Sequence, residues 1–233
     1  MINTEAYQKI REELSSKSAT LAAVSKTKPV ADIQELYNLG QRDFGENYVQ
    51  ELVGKKDQLP QDIRWHFIGH LQSNKVKYIA PFVYLIHSID NEKLLKEVNR
   101  QAAKHGRVIN CLLQIHIAQE ETKFGMDEGE LELLMNRIKN DRQEWAHISP
   151  NGIMGMASNT DNAETVRNEF KFLKQLFDKY FLETINIHQP SNDNVQTATL
   201  SMGMSGDYKI AMEEGSNMVR IGSLLFGERN YTK

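Results

Sequence analysis

A chain of 233 residues, 40% hydrophobic and 25% charged, has the composition of an ordinary globular protein and the length of one large domain. A formal charge of −3 gives no support to a nucleic-acid or anionic-membrane surface, and no apolar run approaches a membrane span. The single cysteine, Cys111, excludes internal disulfides and a cysteine-based zinc site, and the first residues lack a basic-then-apolar leader, so a cytoplasmic protein is expected.

The chain opens on a helical pattern from about Thr4 to Lys17, with Ala6, Ile10 and Leu14 on one face. The run Leu21–Ser25 then reads as a short buried strand ending at Lys26, with Pro29 opening the next helix. Ammonium groups resist burial. Lys26 is therefore either a lysine whose amine reaches solvent at the strand's exit or one kept for chemistry, such as a Schiff base to an aldehyde cofactor. Seven further strands are expected at Asp43–Gly45, His66–Gly69, Tyr84–Ser88, Asn110–Ile117, Gly152–Met154, Thr199–Met202 and Met218–Ile221. Segments of helical period separate them: Ile33, Leu36 and Tyr37; Leu94, Leu95, Val98 and Ala102; Leu131, Leu134, Met135 and Ile138; and Val166, Phe170, Leu173, Phe177 and Tyr180. Eight alternating units in a chain of this length favour an α/β fold of the (β/α)8 TIM-barrel type, a single domain over 1–233. The polar stretch Phe181–Gln196 breaks the rhythm and reads as a long surface connection.

Active sites of such barrels form at the C-terminal ends of the strands. There the sequence places Lys26, then Phe44–Tyr48, Ile68–Asn74, Asp90, Gly155–Ser158, Leu200–Gly206 and Arg220–Ser223. Glycine and serine after strands seven and eight suit a phosphate, because glycine lets backbone N–H groups approach and Ser201 and Ser223 add hydroxyl donors, although such residues are also common in plain turns. Arg220 could face a pyridine nitrogen or serve as a structural arginine paired with a carboxylate. His66 and His70 flank Gly69 at a strand end and lack the helical frame of a metal-binding pair, so no metal is expected. Met154, Met156, Met202 and Met204 read as core or pocket packing, and Cys111 as an inert core thiol.

Seven segments, in order, carry a resemblance: AVSKTKP (23–29), FGENYVQE (44–51), WHFIGHLQSNK (65–75), HSID (87–90), GIMGMAS (152–158), LSMGMSGDY (200–208) and VRIGSLLFGER (219–229). The chain resembles the pyridoxal-phosphate homeostasis proteins, single-domain relatives of the N-terminal barrel of alanine racemase. The resemblance implies that Lys26 forms the internal aldimine with pyridoxal 5′-phosphate. It further implies that Ser201, Gly222 and Ser223 hold the phosphate, that Arg220 approaches the pyridine nitrogen, and that Asn47 lies beside the cofactor. The family more often has threonine at the position of Ser223, so a hydroxyl is kept.

Three functions are compatible with these residues. A protein that binds, stores or hands over the cofactor, with dependent apoenzymes as acceptors, needs only the pocket. A racemase needs acid and base groups on both faces of the cofactor. Alanine racemase takes the second from a tyrosine of a partner's C-terminal domain, for which this chain has no residues, so homeostasis without robust catalysis is favoured and a monomer expected. A sugar-phosphate enzyme working through a lysine imine would share the lysine and loops but would be colourless.

Overall fold

Strands that are apolar at consecutive positions, such as Leu21–Val24 and Cys111–Leu113, can be buried only in a sheet covered on both faces. A computed structural model of the chain, which describes residues 2–182 and 198–227, meets that demand by closure. Strands β1 (Thr20–Val24), β2 (Asp43–Glu46), β3 (Arg64–Phe67), β4 (Leu85–Ile89), β5 (Ile109–Ile115), β6 (Ile148–Gly155), β7 (Thr199–Ser201) and β8 (Met218–Ile221) form a closed parallel barrel in sequence order. β8 returns to β1 with Ala22 opposite Arg220.

Helices α1 (Thr4–Ser15), α2 (Val30–Asn38), α3 (Val49–Lys56), α4 (Val76–Ile79), α5 (Glu92–Lys104), α6 (Glu128–Asn140), α7 (Ala163–Phe177), α8 (Tyr208–Glu213) and α9 (Ser223–Phe226) surround it. Several starts are written in the sequence: Asn3, Asn91 and Asn162 accept N–H groups of their first turns, and Asp127 with Glu130 makes a reciprocal capping box. The main core lies between helices and strands, where Ile10, Leu14, Ile33, Leu36, Val98, Leu131, Phe170 and Leu173 meet Leu21, Ala23, Phe44, Phe67 and Ile86. Inside the barrel, Leu85, Leu112, Met154 and Met218 form a small apolar plug. Much of the remaining interior is polar. Cys111 is fully buried, and that burial pushes its thiol pKa up.

The structure corrects several expected boundaries. β3 ends at Phe67 rather than Gly69; the Ile68 N–H still bonds to the Glu46 carbonyl, and at Gly69 the Asn47 carbonyl oxygen passes 2.2 Å from where a side-chain carbon would sit, an approach only glycine permits. β6 begins four residues before Gly152: Ser149-Pro150-Asn151, turn-like in sequence, lies in the sheet beside a register irregularity between Cys111 and Leu113, where a proline is tolerated. Pro29 is the residue before α2, extended at ψ 156°, and the helix itself starts at Val30. Of the expected connection Phe181–Gln196, the first two residues close a π-helical turn (Asp178–Leu182), with Phe181 buried and stacked on Phe177; the rest lies outside the described residues.

β6 and β7 approach closely because position 152 has no side chain. A Cβ there would lie 1.9 Å from the Thr199 carbonyl oxygen. Gly152→Ala is expected to cost at least about 1–3 kcal/mol, the range for overpacking, read as a lower urea midpoint. An unchanged midpoint would contradict this strand contact.

Candidate functional site

The alternation of β1 turns Ala22 and Val24 away from the helix layer, and Lys26 follows two residues later with the same parity. The backbone on both sides of Lys26 is clamped. Lys55, on α3, donates from Nζ to the Ser25 carbonyl at 2.8 Å, to Glu46 Oε1 at 2.8 Å and to Glu51 Oε1 at 2.6 Å. Glu51 Oε1 in turn accepts the Thr27 N–H at 2.5 Å, and the Ser25 hydroxyl donates to Glu46 at 2.6 Å. Thr27 has φ 63°, a left-handed conformation that is a true outlier for a β-branched residue and that the Glu51 bond helps to hold. Glu46 is fully buried, and its desolvation raises its pKa against the pull of the Lys55 ammonium.

Lys26 opens into a cleft of about 280 Å³ at the C-terminal end of the barrel, near the lower limit for small-molecule sites. Asn47 and Ile68 line it from the loops after β2 and β3, Met156 from that after β6, Met204, Ser205 and Gly206 from that after β7, and Gly222 and Ser223 from that after β8. The Gly222 N–H donates to Ser205 Oγ at 3.3 Å, which draws the last two loops together. Lys28 also lines the cleft and donates to the carbonyls of Phe226 and Gly227 at 2.8 and 3.2 Å.

Arg220 forms part of the cleft's floor while only 4% exposed. It donates to the Ser201 carbonyl at 2.9 Å, to Ser201 Oγ at 2.7 Å and to the Gly155 carbonyl at 3.0 Å. Burial lowers its pKa to about 10, with Asp207 opposing at longer range, so it remains a cation at neutral pH. Its partners are thus a serine and two carbonyls, not a carboxylate.

Lys26, Asn47, Arg220, Gly222 and Ser223 therefore share one cleft. Ser201 is not among its lining residues: it is wholly buried in the barrel interior, behind Arg220. Ser205, four residues on in the same glycine-rich run, stands at the rim instead. The signal that could have found it is strand extent, since Ser201 is the last residue of β7 and Ser205 falls in the loop that follows. His66 and His70 make different contacts: His66 faces Asp43 and His87, whereas His70 stacks on Phe124 at 4.0 Å and pairs with Asp90. A second cleft, of about 300 Å³ and lined by Lys56, Leu59, Ile63, Trp65 and Phe82, involves segments that precede β3 and β4 and so lies away from Lys26.

The lining suits an anionic ligand. Lys26, Lys28 and Arg220 are basic, and no described lining residue is acidic. Asn47 Oδ1 is buried and has no hydrogen-bond partner within the protein, which leaves an acceptor for a ligand's donor. Serine hydroxyls and the first-turn N–H groups of α9 offer donors on the opposite wall.

Comparison with known proteins agrees with this geometry. The family model of the alanine racemase N-terminal domain matches residues 4–230. The pyridoxal phosphate homeostasis protein of Aquifex aeolicus is 41% identical over 214 residues, 91% of this chain and 88% of its own. PipY of Synechococcus elongatus, solved with PLP bound, superposes with a TM-score of 0.81 at 31% identity over 96% of this chain and 99% of that one. Alanine racemase from Bartonella henselae shares the fold at a TM-score of 0.68 and 15% identity, this chain covering 61% of it.

The clamp around Lys26 depends on one buried cation. Lys55→Met should cost about 3–5 kcal/mol at neutral pH by leaving Glu46 charged and unpaired. The Glu46 pKa is already raised when folded, so its neutral form is the better tolerated one, and the defect should shrink as pH falls toward about 5. Urea unfolding at about pH 5 and about pH 8 checks this; an equal loss at both would mean that Glu46 is not the group left unpaired.

Proposed function

The chain belongs to the pyridoxal phosphate homeostasis protein family, built on the alanine racemase N-terminal domain, and from that premise we propose that it binds pyridoxal 5′-phosphate and stores or hands over the cofactor without robust turnover. The observation that carries this reading is the single cleft in which Lys26 meets Arg220, Asn47, Ser205, Gly222 and Ser223 with no acidic neighbour in its lining. When bound, the cofactor supplies an aldehyde that condenses with a primary amine, with loss of water, and a phosphate group.

Lys26 presents the amine from a backbone pinned at Ser25 and Thr27. Ser205 and Ser223 offer hydroxyl donors to the phosphate, and Gly222, whose N–H is bonded to Ser205 Oγ, lets the backbone approach it closely. The hydroxyl of Ser201 acts one layer behind, on Arg220. Asn47 offers its unpartnered oxygen to the ring side. Arg220 faces the pyridine nitrogen as a cation that keeps its protons, which leaves that nitrogen unprotonated and the ring a weak electron sink. Racemisation also needs a second acid across the ring. Among the described residues, the titratable side chains lining the cleft are Lys26, Lys28 and Arg220. Both facts support a holding role. A monomeric, cytoplasmic protein that passes the cofactor to apoenzymes completes the reading; no described helix is long and apolar enough to cross a membrane.

The purified protein is expected to show a visible Schiff-base band that changes with D- or L-alanine without formation of the opposite enantiomer. Sustained turnover would overturn the storage role. Lys26→Ala should abolish the band and keep weakened binding through the phosphate loops; an unchanged band would remove Lys26 from the site. Ser205→Ala should weaken cofactor affinity about tenfold, the worth of one lost hydrogen bond, measured by equilibrium dialysis.

A further inference from the structure

The polar residues in the barrel interior form a line. Arg220 NH1 donates to Ser201 Oγ at 2.7 Å; that oxygen lies 3.2 Å from His87 Nδ1; His87 Nε2 lies 2.8 Å from His66 Nδ1; and His66 Nε2 lies 3.0 Å from Asp43 Oδ1. His66, His87 and Ser201 are wholly buried, Arg220 is 4% exposed and Asp43 6%. The line starts at the cleft floor on β8, crosses through β7, β4 and β3, and ends at the first residue of β2, at the barrel's opposite end. TIM-barrel interiors are ordinarily filled by branched apolar side chains, so a continuous polar file is a departure that calls for a reason.

The ends of the file decide its direction. A guanidinium can only donate, and a carboxylate can only accept. Asp43 is held as a carboxylate: burial opposes its ionisation, but hydrogen bonds from Arg64 and His66 outweigh it and bring its pKa to about 2. With His66 as a neutral ring, its Nε2–H donates to Asp43, which leaves Nδ1 bare to accept from His87 Nε2–H. His87 Nδ1 is then bare and accepts the Ser201 hydroxyl, whose oxygen accepts from Arg220. Every hydrogen has one acceptor. The reverse assignment gives Ser201 Oγ two incoming donors and leaves its own proton without a partner in the file.

We infer that Ser201, His87, His66 and Asp43 are positioning residues for Arg220, a one-way hydrogen-bond file that joins the cleft's cation to a carboxylate at the far end of the barrel and fixes which of its N–H groups face the ligand. Of the five donors of the guanidinium, three are taken by Ser201 and Gly155, and two have no partner among the described residues. The burial of His87 and the nearby Arg220 disfavour its charged form, so its ring carries a single proton. Other charged or titratable groups stand beside the file at its ends: Arg64 and Tyr84 near Asp43 and His66, and Asp207, Lys26 and Lys28 near Arg220.

The tautomer part of this inference stands without any ligand, and the spectral part rests on the pyridoxal phosphate reading. Nitrogen-15 NMR of the wild-type protein at about pH 7 should find both His66 and His87 protonated at Nε2 and bare at Nδ1. A proton on Nδ1 of either ring would overturn the file's direction. In the cofactor-loaded protein, Ser201→Ala should move the pH midpoint of the visible band by about one unit while cofactor affinity stays within a few-fold, and Ser201→Thr should restore the wild-type midpoint. A loss of thermal stability with an unmoved band would reduce the file to a structural element. If Ser201→Ala fails to fold, the wild-type tautomers still decide. If the wild-type protein takes up no coloured cofactor, the functional reading falls while the NMR result stands.

Discussion

The site depends on closure of the barrel at the seam between β1 and β8. These strands lie at opposite ends of the sequence, yet Thr20, Leu21, Ala22 and Ala23 pair in register with Met218, Val219, Arg220 and Ile221. The seam sets Lys26 beside the loop that starts at Gly222, and Lys28 reinforces it by bonding to the carbonyls of Phe226 and Gly227. An open sheet would leave the lysine on one edge and the arginine on the other. The helices matter to the chemistry chiefly because they bury the outer face of the strands and make closure stable.

Two buried charges flank the cleft and are stabilised differently. Glu46 lies within direct reach of Lys55, in a compact cluster that also fixes the backbone around Lys26. Arg220 has no carboxylate in contact and relies on carbonyls, a hydroxyl and the file that leads to Asp43. Charges removed from water cost several kcal/mol each unless their hydrogen bonds are satisfied. The first arrangement uses proximity and the second uses relay through neutral groups. The difference follows from place: a carboxylate beside Arg220 would put negative charge on the floor of a cleft that admits an anion.

Much of this was legible in the sequence. Eight strand signals placed the barrel, and the lysine that follows the first of them lines the cleft at its C-terminal end. Boundaries failed where tertiary contact set the local path, as at Gly69, packed against the Asn47 backbone, and at Pro150, which reads as a turn but sits in β6 at a register irregularity. The burial of Ser201 and the rim position of Ser205 have the same origin. Both lie in one glycine-rich run, and only the last residue of β7 decides which hydroxyl points into the interior. The interior file was not legible, because Asp43, His66, His87 and Ser201 come from four strands and each looks ordinary in its own segment.

The file also bears on what such a cleft can do chemically. Catalysis requires groups that interact more strongly with the transition state than with the bound ligand, usually by moving a proton. Arg220 keeps its protons at neutral pH, and three of its five N–H groups are directed inward. Ser205, Ser223 and Asn47 do not titrate in the accessible range. A wall of fixed donors of this kind binds ground state and transition state about equally, which lowers a dissociation constant without raising a rate. Lys26 is the exception, and the clamp at Ser25 and Thr27 holds its backbone against movement. Rigid placement of one amine against fixed donors is what the proposed storage role asks of the site.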